Sequence, residues 1–315
     1  MQRELRWVVR EEGARSRLDR FLASQLPDQT RSQIQLWIRS GCVLVNGGRN
    51  KAGYRIRPGD EIAVRLPQPS AGLPEPEPIP LRILHEDHDL AVIDKPAGLV
   101  CHAGAGRRSG TLVNALLHRW KSFETGDPLR PGIVHRLDRF TSGVMVVARN
   151  AHAHRTLSHQ FKSRSVRKEY IALVFGSVVP AAGTIDAPVG RNPRNRRKIS
   201  VRARKSRTAV THYQVTASFG CCTLLKVRPE TGRTHQIRVH LSSIGHPVVG
   251  DALYGARRRL PAAFQAAVSE MGRFFLHACS LEFNHPCTGE RLSFSAPLPR
   301  ELESVLDKMR SLTSQ

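Results

Sequence analysis

No apolar run in the 315 residues approaches the roughly 18 that a helix needs to cross a bilayer. No two cysteines form a C-x-x-C pair. Cys42, Cys101, Cys221, Cys222, Cys279 and Cys287 therefore suggest neither a zinc ribbon nor a disulfide framework, and buried free thiols in a reducing compartment are expected. Gly104-Ala105-Gly106-Arg107-Arg108-Ser109-Gly110 misses the G-x-G-x-x-G spacing by one place, and no G-x-S-x-G elbow exists. A nucleotide cofactor and a serine hydrolase are both disfavoured. His152-Ala153-His154 turns its two rings to different helix faces, so no metal site is expected there. Acids are scarce: 26 Asp and Glu stand against 49 Lys and Arg, a formal net charge of +23. Solubility alone needs a net charge of only about 2–8 in a small domain. With 40 % hydrophobic residues the chain can build a core, and its basic excess points to a polyanion, nucleic acid by default. Met1 to Glu12 alternates charged and apolar residues without a signal-peptide apolar segment, so a cytoplasmic protein with no membrane partner is expected.

Residues 67–80, rich in proline, read as an extended linker that divides the chain. Before it, over 15–66, lies a small α+β module. Leu18, Phe21, Leu22 and Leu26 recur at helical spacing with Ser16 as candidate N-cap. Thr30 is placed to cap a second helix whose apolar stripe is Ile34, Trp37 and Ile38. Val43–Val45 and Glu61–Val64 read as strands joined through turns. After the linker, over 81–305, short strands and helices alternate. Strands are expected at 81–84, 90–93, 144–148, 170–175, 208–217, 222–228, 275–283 and 291–295. Helices are expected after Thr111, near 151–163 and over 232–243. The pattern favours an α+β domain on a mixed or antiparallel sheet.

Two dense blocks carry the chemistry. Gly132-Ile133-Val134-His135-Arg136-Leu137-Asp138-Arg139-Phe140-Thr141-Ser142-Gly143 places one carboxylate among arginines, just before the apolar run Val144–Ala148. A carboxylate at a strand edge beside cations stays ionised and can act as a nucleophile; the bland alternative is an aspartate capping its own turn. Glu230-Thr231-Gly232-Arg233-Thr234-His235-Gln236-Ile237-Arg238-Val239-His240 is the second block. On its helix Ile237, Leu241 and Ile244 form a core face, while His235, Arg238 and Ser242 share a neighbouring face that can look into a cleft. Tyr170 opens a strand after Arg167-Lys168-Glu169. The stretch 191–207 contains Arg194, Arg196, Arg197 and Lys198 and no acid, which suits phosphate contact.

These blocks resemble the signature of the RluA-type pseudouridine synthases, most closely the RluD-like, large-subunit branch, over about 80–300. The first module looks like the RNA-binding domain of ribosomal protein S-four. The resemblance implies the pseudouridine synthase fold, a curved sheet with a central RNA-binding cleft, and isomerisation of uridine. It implies Asp138 as the catalytic carboxylate, Arg238 as its cationic partner and Tyr170 as the ring that stacks on the target base. It also implies that Arg136 enters the RNA where the uridine leaves. Arg17, Arg31 and Arg39 in the first module and Arg139 and Arg233 near the blocks are further RNA-contact candidates. His235 and Gln236 are expected to be structural. Arg139-Phe140 departs from the family's usual Lys-Asp, and Ala103 from its usual proline.

The expectation is therefore a monomeric enzyme needing no metal or organic cofactor. Its partner is structured RNA, foremost large-subunit ribosomal RNA or its assembly intermediates. A non-catalytic RNA-binding or assembly protein would need none of Asp138, Arg238 and Tyr170. An RNA methyltransferase would need a cofactor loop that the sequence lacks.

Overall fold

The computed structural model describes residues 4–11, 14–27, 29, 31–65, 73–102, 109–120, 129–193, 195, 198–255 and 258–313. Contacts divide the chain into two units, one of Met1–Glu75 with Glu124–Pro131 and the other of Pro76–Phe123 with Gly132–Gln315.

The first unit contains β1 (Glu4–Val8), α1 (Leu18–Gln25), α2 (Arg31–Ser40), β2 (Val43–Val45), β3 (Gly48–Arg49) and β4 (Glu61–Arg65). The strands form an antiparallel sheet in the order β1-β4-β2-β3. Leu18 and Leu22 of α1 and Ile34, Trp37 and Ile38 of α2 pack with Val43, Val45, Ile62 and Val64. The helical spacing of the sequence thus becomes one face of each helix. The N-cap of α1 is Arg17 rather than Ser16. The first helical N–H groups need no serine, because Leu18 donates to the Tyr54 carbonyl at 2.8 Å and Asp19 to that of Ala52 at 3.1 Å. Thr30, the expected cap of α2, lies outside the described residues.

The second unit continues with β5 (Arg82–Glu86), β6 (Leu90–Lys95), α3 (Leu112–Arg119), β7 (Ser142–Ala148), α4 (Ala151–Ser163), β8 (Arg167–Phe175), β9 (Ala182–Asp186), β10 (Val189–Arg191), β11 (Ile199–Ser200) and β12 (Ser206–Arg207). It ends with β13 (Val210–Ser218), β14 (Cys222–Pro229), α5 (Gln236–Ser243), α6 (Ala262–Met271), β15 (Leu276–Asn284), β16 (Arg291–Ser295) and α7 (Arg300–Thr313). The main sheet runs β5-β6-β7-β15-β8-β14-β13-β9, with β16 paired to β15. It is mixed: β7 and β15 are parallel and the other pairs antiparallel. The α+β class and the mixed sheet are as expected.

Every residue of β7 is buried, because both sheet faces are covered there. Val144, Val146 and Ala148 pack with Ala153 and Leu157 of α4 on one side; Met145 and Val147 pack with Leu112 and Leu116 of α3 on the other. A continuous apolar run is what a doubly covered strand requires. Thr111 caps α3 in a reciprocal box with Asn114, whose side chain accepts from the Thr111 N–H at 3.0 Å. Gly143 holds β7 against β15. Its φ is +115°, and a Cβ there would collide with the Ala278 carbonyl.

Three further expectations are corrected. The helix expected over 232–243 begins only at Gln236. His235 stands in the left-handed region with φ 55°, and the Gln236 side chain closes a turn by accepting from the Arg233 N–H at 3.0 Å and the Thr231 hydroxyl at 2.6 Å. Ile244 is not on the core face. The helix has ended, and Ile244 is 38 % exposed. Of the free thiols, Cys101 and Cys222 are buried, but Cys287 lies exposed, in the turn before β16.

Candidate active site

Asp138 follows the buried Leu137 in a tight turn ahead of β7, and the Thr141 N–H donates to the Asp138 carbonyl at 3.1 Å. The carboxylate does not cap that turn. Its Oδ2 accepts from Arg238 Nη1 at 3.0 Å across 100 residues of sequence. Arg238 sits on α5 with its side chain 7 % exposed, against 15 % for Asp138.

Arg238 has a second anion that sequence reasoning missed. Its Nε and Nη2 donate to the two oxygens of Asp251 at 2.7 and 2.9 Å. Asp251 is held in turn, accepting from the Leu253 and Tyr254 N–H groups. The guanidinium also lies over the Phe274 ring at 4.3 Å and the Tyr254 ring at 5.2 Å. Burial works against the Arg238 charge, but Asp251 and then Asp138 outweigh it and raise its pKa above the ordinary value. The result is a row in which one buried cation joins a buried carboxylate to a partly open one.

Tyr170, on β8, lines the same cleft as Asp138. Burial, and then the Asp138 charge, push its phenol pKa up, so the ring is present as neutral phenol. The cleft encloses about 500 Å³ of space open to solvent, walled by Arg136, Leu137, Thr141, Gly232, Arg233, His235, Ile237 and Leu276 among others. The three residues expected to carry the chemistry come together here. Arg136 is exposed on the wall. Arg233 is half-buried and donates to the Thr208 carbonyl at 3.3 Å.

The backbone around Asp138 is clamped from behind. Lys95, wholly buried at the end of β6, donates to the carbonyls of Pro96 at 2.8 Å, Leu99 at 2.9 Å and Arg139 at 3.3 Å. Burial brings its pKa down to about 8. Arg273, 7 % exposed, donates to the Phe140 carbonyl at 2.9 Å. Cys101 Sγ reaches the Leu137 carbonyl at 3.3 Å. His135 accepts from the Val146 N–H at 3.1 Å and stacks on Phe161 at 4.4 Å. Burial pushes its pKa down to about 3, so the ring stays neutral. The sequence signal for Lys95 was a lysine closing the apolar run Leu90–Ile93; Arg273, between Gly272 and Phe274, carried none.

His235 and Gln236, expected to be structural, both bond within the unit. His235 Nδ1 lies 3.0 Å from the Tyr254 hydroxyl, and Gln236 Nε2 donates to the Val210 carbonyl at 2.9 Å. The basic stretch 191–207 contributes the strands β11 and β12, both paired to β10. Its Ile199 N–H donates to the Tyr254 hydroxyl at 2.9 Å, which ties this arm to the site. Lys198 is partly exposed in it, whereas Arg194, Arg196 and Arg197 lie outside the described residues.

In the first unit, Arg17 and Arg31 are not simple surface charges. Both bond the wholly buried Asp19, Arg17 at 3.0 Å and Arg31 at 2.8 Å, while their side chains stay 44 and 46 % exposed. Gln35 adds a bond to Asp19 at 2.6 Å. Burial opposes the Asp19 charge, yet these partners pull its pKa well below the ordinary range. Arg39 is exposed at the end of α2.

Asp87, Asp89 and His285 also approach one another within 4.8 Å. His285 Nδ1 accepts from the Cys287 and Thr288 N–H groups, so the proton resides on Nε2. That nitrogen points at Asp87, 3.3 Å away. A protonated Nε2 cannot ligate a metal, so hydrogen bonding accounts for this corner.

Comparison with known proteins accords with this geometry. Residues 89–243 match the family described as RNA pseudouridylate synthase, and residues 16–62 match the S4 domain. The uncharacterized RNA pseudouridine synthase YlyB of Bacillus subtilis is 43 % identical over 301 residues, covering 95 % of this chain and 96 % of that protein. The ribosomal large subunit pseudouridine synthase D of Xanthomonas campestris is 44 % identical over 307 residues, with 96 and 92 % covered. That of Escherichia coli O157:H7 is 41 % identical over 313 residues, with 98 and 95 % covered. Among solved structures, human RNA pseudouridylate synthase domain containing 4 superposes with a TM-score of 0.57 at 31 % identity, covering 73 % of this chain and 93 % of that one. The carboxylate, its guanidinium partner and the tyrosine thus stand in a chain that belongs, over nearly its whole length, to the RNA pseudouridine synthases, with an S4 RNA-binding domain at its N-terminal side.

Proposed function

We propose that the protein isomerises particular uridines of large-subunit ribosomal RNA, with Asp138 as the nucleophile and the target base extruded into the cleft. The observation that carries this reading is the Asp138–Arg238–Asp251 row beside Tyr170. Breaking the bond between ribose and ring nitrogen leaves an electron-poor ribose carbon. A fixed carboxylate can bond it or balance its charge while the uracil turns and reattaches through carbon five, which then gives up its proton while the freed ring nitrogen takes one up. Arg238 keeps that carboxylate in place, and Tyr170 offers a ring face on which any uracil can rest. Arg136, exposed on the cleft wall, is suited to fill the space that the uridine vacates, since extrusion costs a few kcal/mol of lost stacking. The isomerisation is redox-neutral and uses only groups of this chain, so the reading includes no metal or organic cofactor.

The choice of RNA rests on the relatives named for the large ribosomal subunit and on the net charge of +23. In this reading, residues 15–66 anchor RNA through Arg17, Arg31 and Arg39, residues 67–80 link, and residues 81–305 catalyse. Arg139, Arg233 and the 191–207 arm with Arg194, Arg196, Arg197 and Lys198 contact phosphates, and the protein acts as a cytoplasmic monomer. The test is to map pseudouridine in ribosomal RNA from cells with and without the gene, then add purified wild type or Asp138→Asn to the unmodified RNA. Sites should vanish without the gene and return only with wild type. An active Asp138→Asn protein would remove the nucleophile from this scheme, and an unchanged map would remove ribosomal RNA.

A further inference from the structure

Phe140 is 37 % exposed and lies two residues after Asp138. Single hydrophobic residues on a surface usually need no account, but this residue is held at its backbone and on two sides of its ring. Its own carbonyl accepts from Arg273 Nη1 at 2.9 Å. Arg273 is anchored by Glu301 at 3.0 Å and by the Ser142 hydroxyl at 3.0 Å. Ser142 in turn meets His277 Nδ1 at 2.9 Å. The ring edge meets Phe274 at 6.3 Å and 82°. Over one face stands the Arg139 guanidinium at 4.9 Å, itself fixed by donation from Nε to the Gly98 carbonyl at 3.1 Å. Phe274 carries Arg238 on its own ring at 4.3 Å. Two rings between two cations therefore lead from the buried ion pair to the surface: Arg238, Phe274, Phe140, Arg139.

A ring fixed this firmly while still open to solvent is pre-organised for a flat partner. We propose that Phe140, with Arg139, forms a stacking site for an unpaired nucleobase next to the target uridine in the RNA strand. The inference rests on the function proposed above and adds to it a second base-binding position. When one nucleotide leaves a stack, its neighbour loses a stacking face, and a nearby aromatic ring or guanidinium plane can replace it. Stacking of this kind accepts any base, because every base has a π face. Charge favours RNA as the occupant: Arg136 stands exposed and Arg233 half-buried on the wall of the adjoining cleft.

The test compares wild type with Phe140→Leu, Phe140→Tyr and Phe140→Trp in two arms. In the binding arm, short single-stranded oligoadenylate is titrated into Phe140→Trp, with wild type giving the background of Trp7, Trp37 and Trp120. The added indole emission should be quenched on saturation. In the turnover arm, on transcribed large-subunit ribosomal RNA, Phe140→Leu should raise KM about tenfold and hold kcat within about twofold. Phe140→Tyr and Phe140→Trp should restore KM, with all variants melting alike. A wild-type KM for Phe140→Leu overturns the proposal, as does a tenfold rise in KM shared by Phe140→Tyr, or an unquenched indole at saturating RNA. The binding arm does not depend on turnover. Absent isomerisation by wild type would therefore count against the proposed function, while the quench still decides the stack.

Discussion

Asp251→Asn tests what holds Arg238 in place. The Asp251 side chain is 1 % exposed and that of Arg238 7 %, so neither can turn to water if the other changes. Asp251 receives two bonds from Arg238, at 2.7 and 2.9 Å, and its Oδ1 also accepts from the Leu253 and Tyr254 N–H groups. Asparagine keeps the volume but offers one acceptor oxygen where two are used. Its amino group must then face a donor. Removing one charge from a buried pair costs about 3–5 kcal/mol, because the other charge stays buried. Asp138 remains as a second anion, so the lower end, about 3 kcal/mol, is expected. In a domain of about 150–250 residues each kcal/mol moves the melting temperature by about 2–4 °C, so the second unit should melt about 6–12 °C lower. Arg238, freed from Asp251, can shift toward Asp138 and take it out of line. If the lost 3 kcal/mol appears in full in the barrier, turnover falls about a hundredfold. Calorimetry and single-turnover assays on transcribed ribosomal RNA measure both quantities. Melting within about 2 °C of wild type together with full turnover would refute the reasoning. Lost stability with full turnover would make Arg238 a scaffold residue and no more.

Other perturbations test the surroundings. His135 is neutral when folded, with its pKa depressed to about 3, so the unfolded chain takes up the proton first. Its contribution is complete above about pH 6.5 and is lost as pH falls from there toward 3, at about 1.4 kcal/mol per pH unit. The slopes of wild type and His135→Gln should differ by about a quarter of a proton at pH 7, rising to about one proton at pH 5; equal slopes would refute a neutral His135. Asp19→Asn should lower the stability of the first unit by about 1–3 kcal/mol, less than a fully buried pair would, because Arg17 and Arg31 stay half-exposed. An unchanged unfolding midpoint for that unit would contradict it. Deleting residues 1–66 should weaken binding to long ribosomal RNA and flatten its salt dependence by about 0.7–0.9 log units for each phosphate no longer neutralised. Isomerisation should return at high RNA concentration. Unchanged affinity and slope would show that the module is no anchor.

What could be read from the sequence was local. Arg136, Asp138 and Arg139 stand in a turn between two apolar runs, a setting that places polar side chains at a strand end. Arg238 lies beside a core face marked by Ile237 and Leu241. Thr111, ahead of Leu112, Leu116 and Leu117, announced its helix. The misses were of two kinds. Lys95 and Arg273 are long cations, which by default lie at the surface, and nothing local says that each will also reach a carbonyl of the Asp138 turn, Arg139 for Lys95 and Phe140 for Arg273. Asp251 follows Val248-Val249-Gly250 in a stretch without helical or strand periodicity, and only tertiary folding brings it to Arg238. The early start given to α5 came from treating Gly232 to His235 as helical. A left-handed His235 and a side-chain-closed turn left no periodic trace.

The row of charges behind Asp138 also argues about purpose. A buried carboxylate–guanidinium–carboxylate array is a poor structural fastener, since well-packed apolar residues of similar volume hold an interior as well or better. Here the array lies among groups that could have been replaced in that way: Phe274 and Tyr254 already cover Arg238, and Leu276 and Ile237 wall the cleft. What apolar packing cannot do is hold one carboxylate at a fixed point on the edge of solvent. Asp251 fixes Arg238, Arg238 fixes the Asp138 side chain, and Lys95 and Arg273 fix the Arg139 and Phe140 carbonyls just after it. Each constraint acts on the position of a single oxygen-bearing group facing the cleft. Such positioning costs stability, and it is useful where a reacting atom must arrive within bonding distance of a group that is already in place.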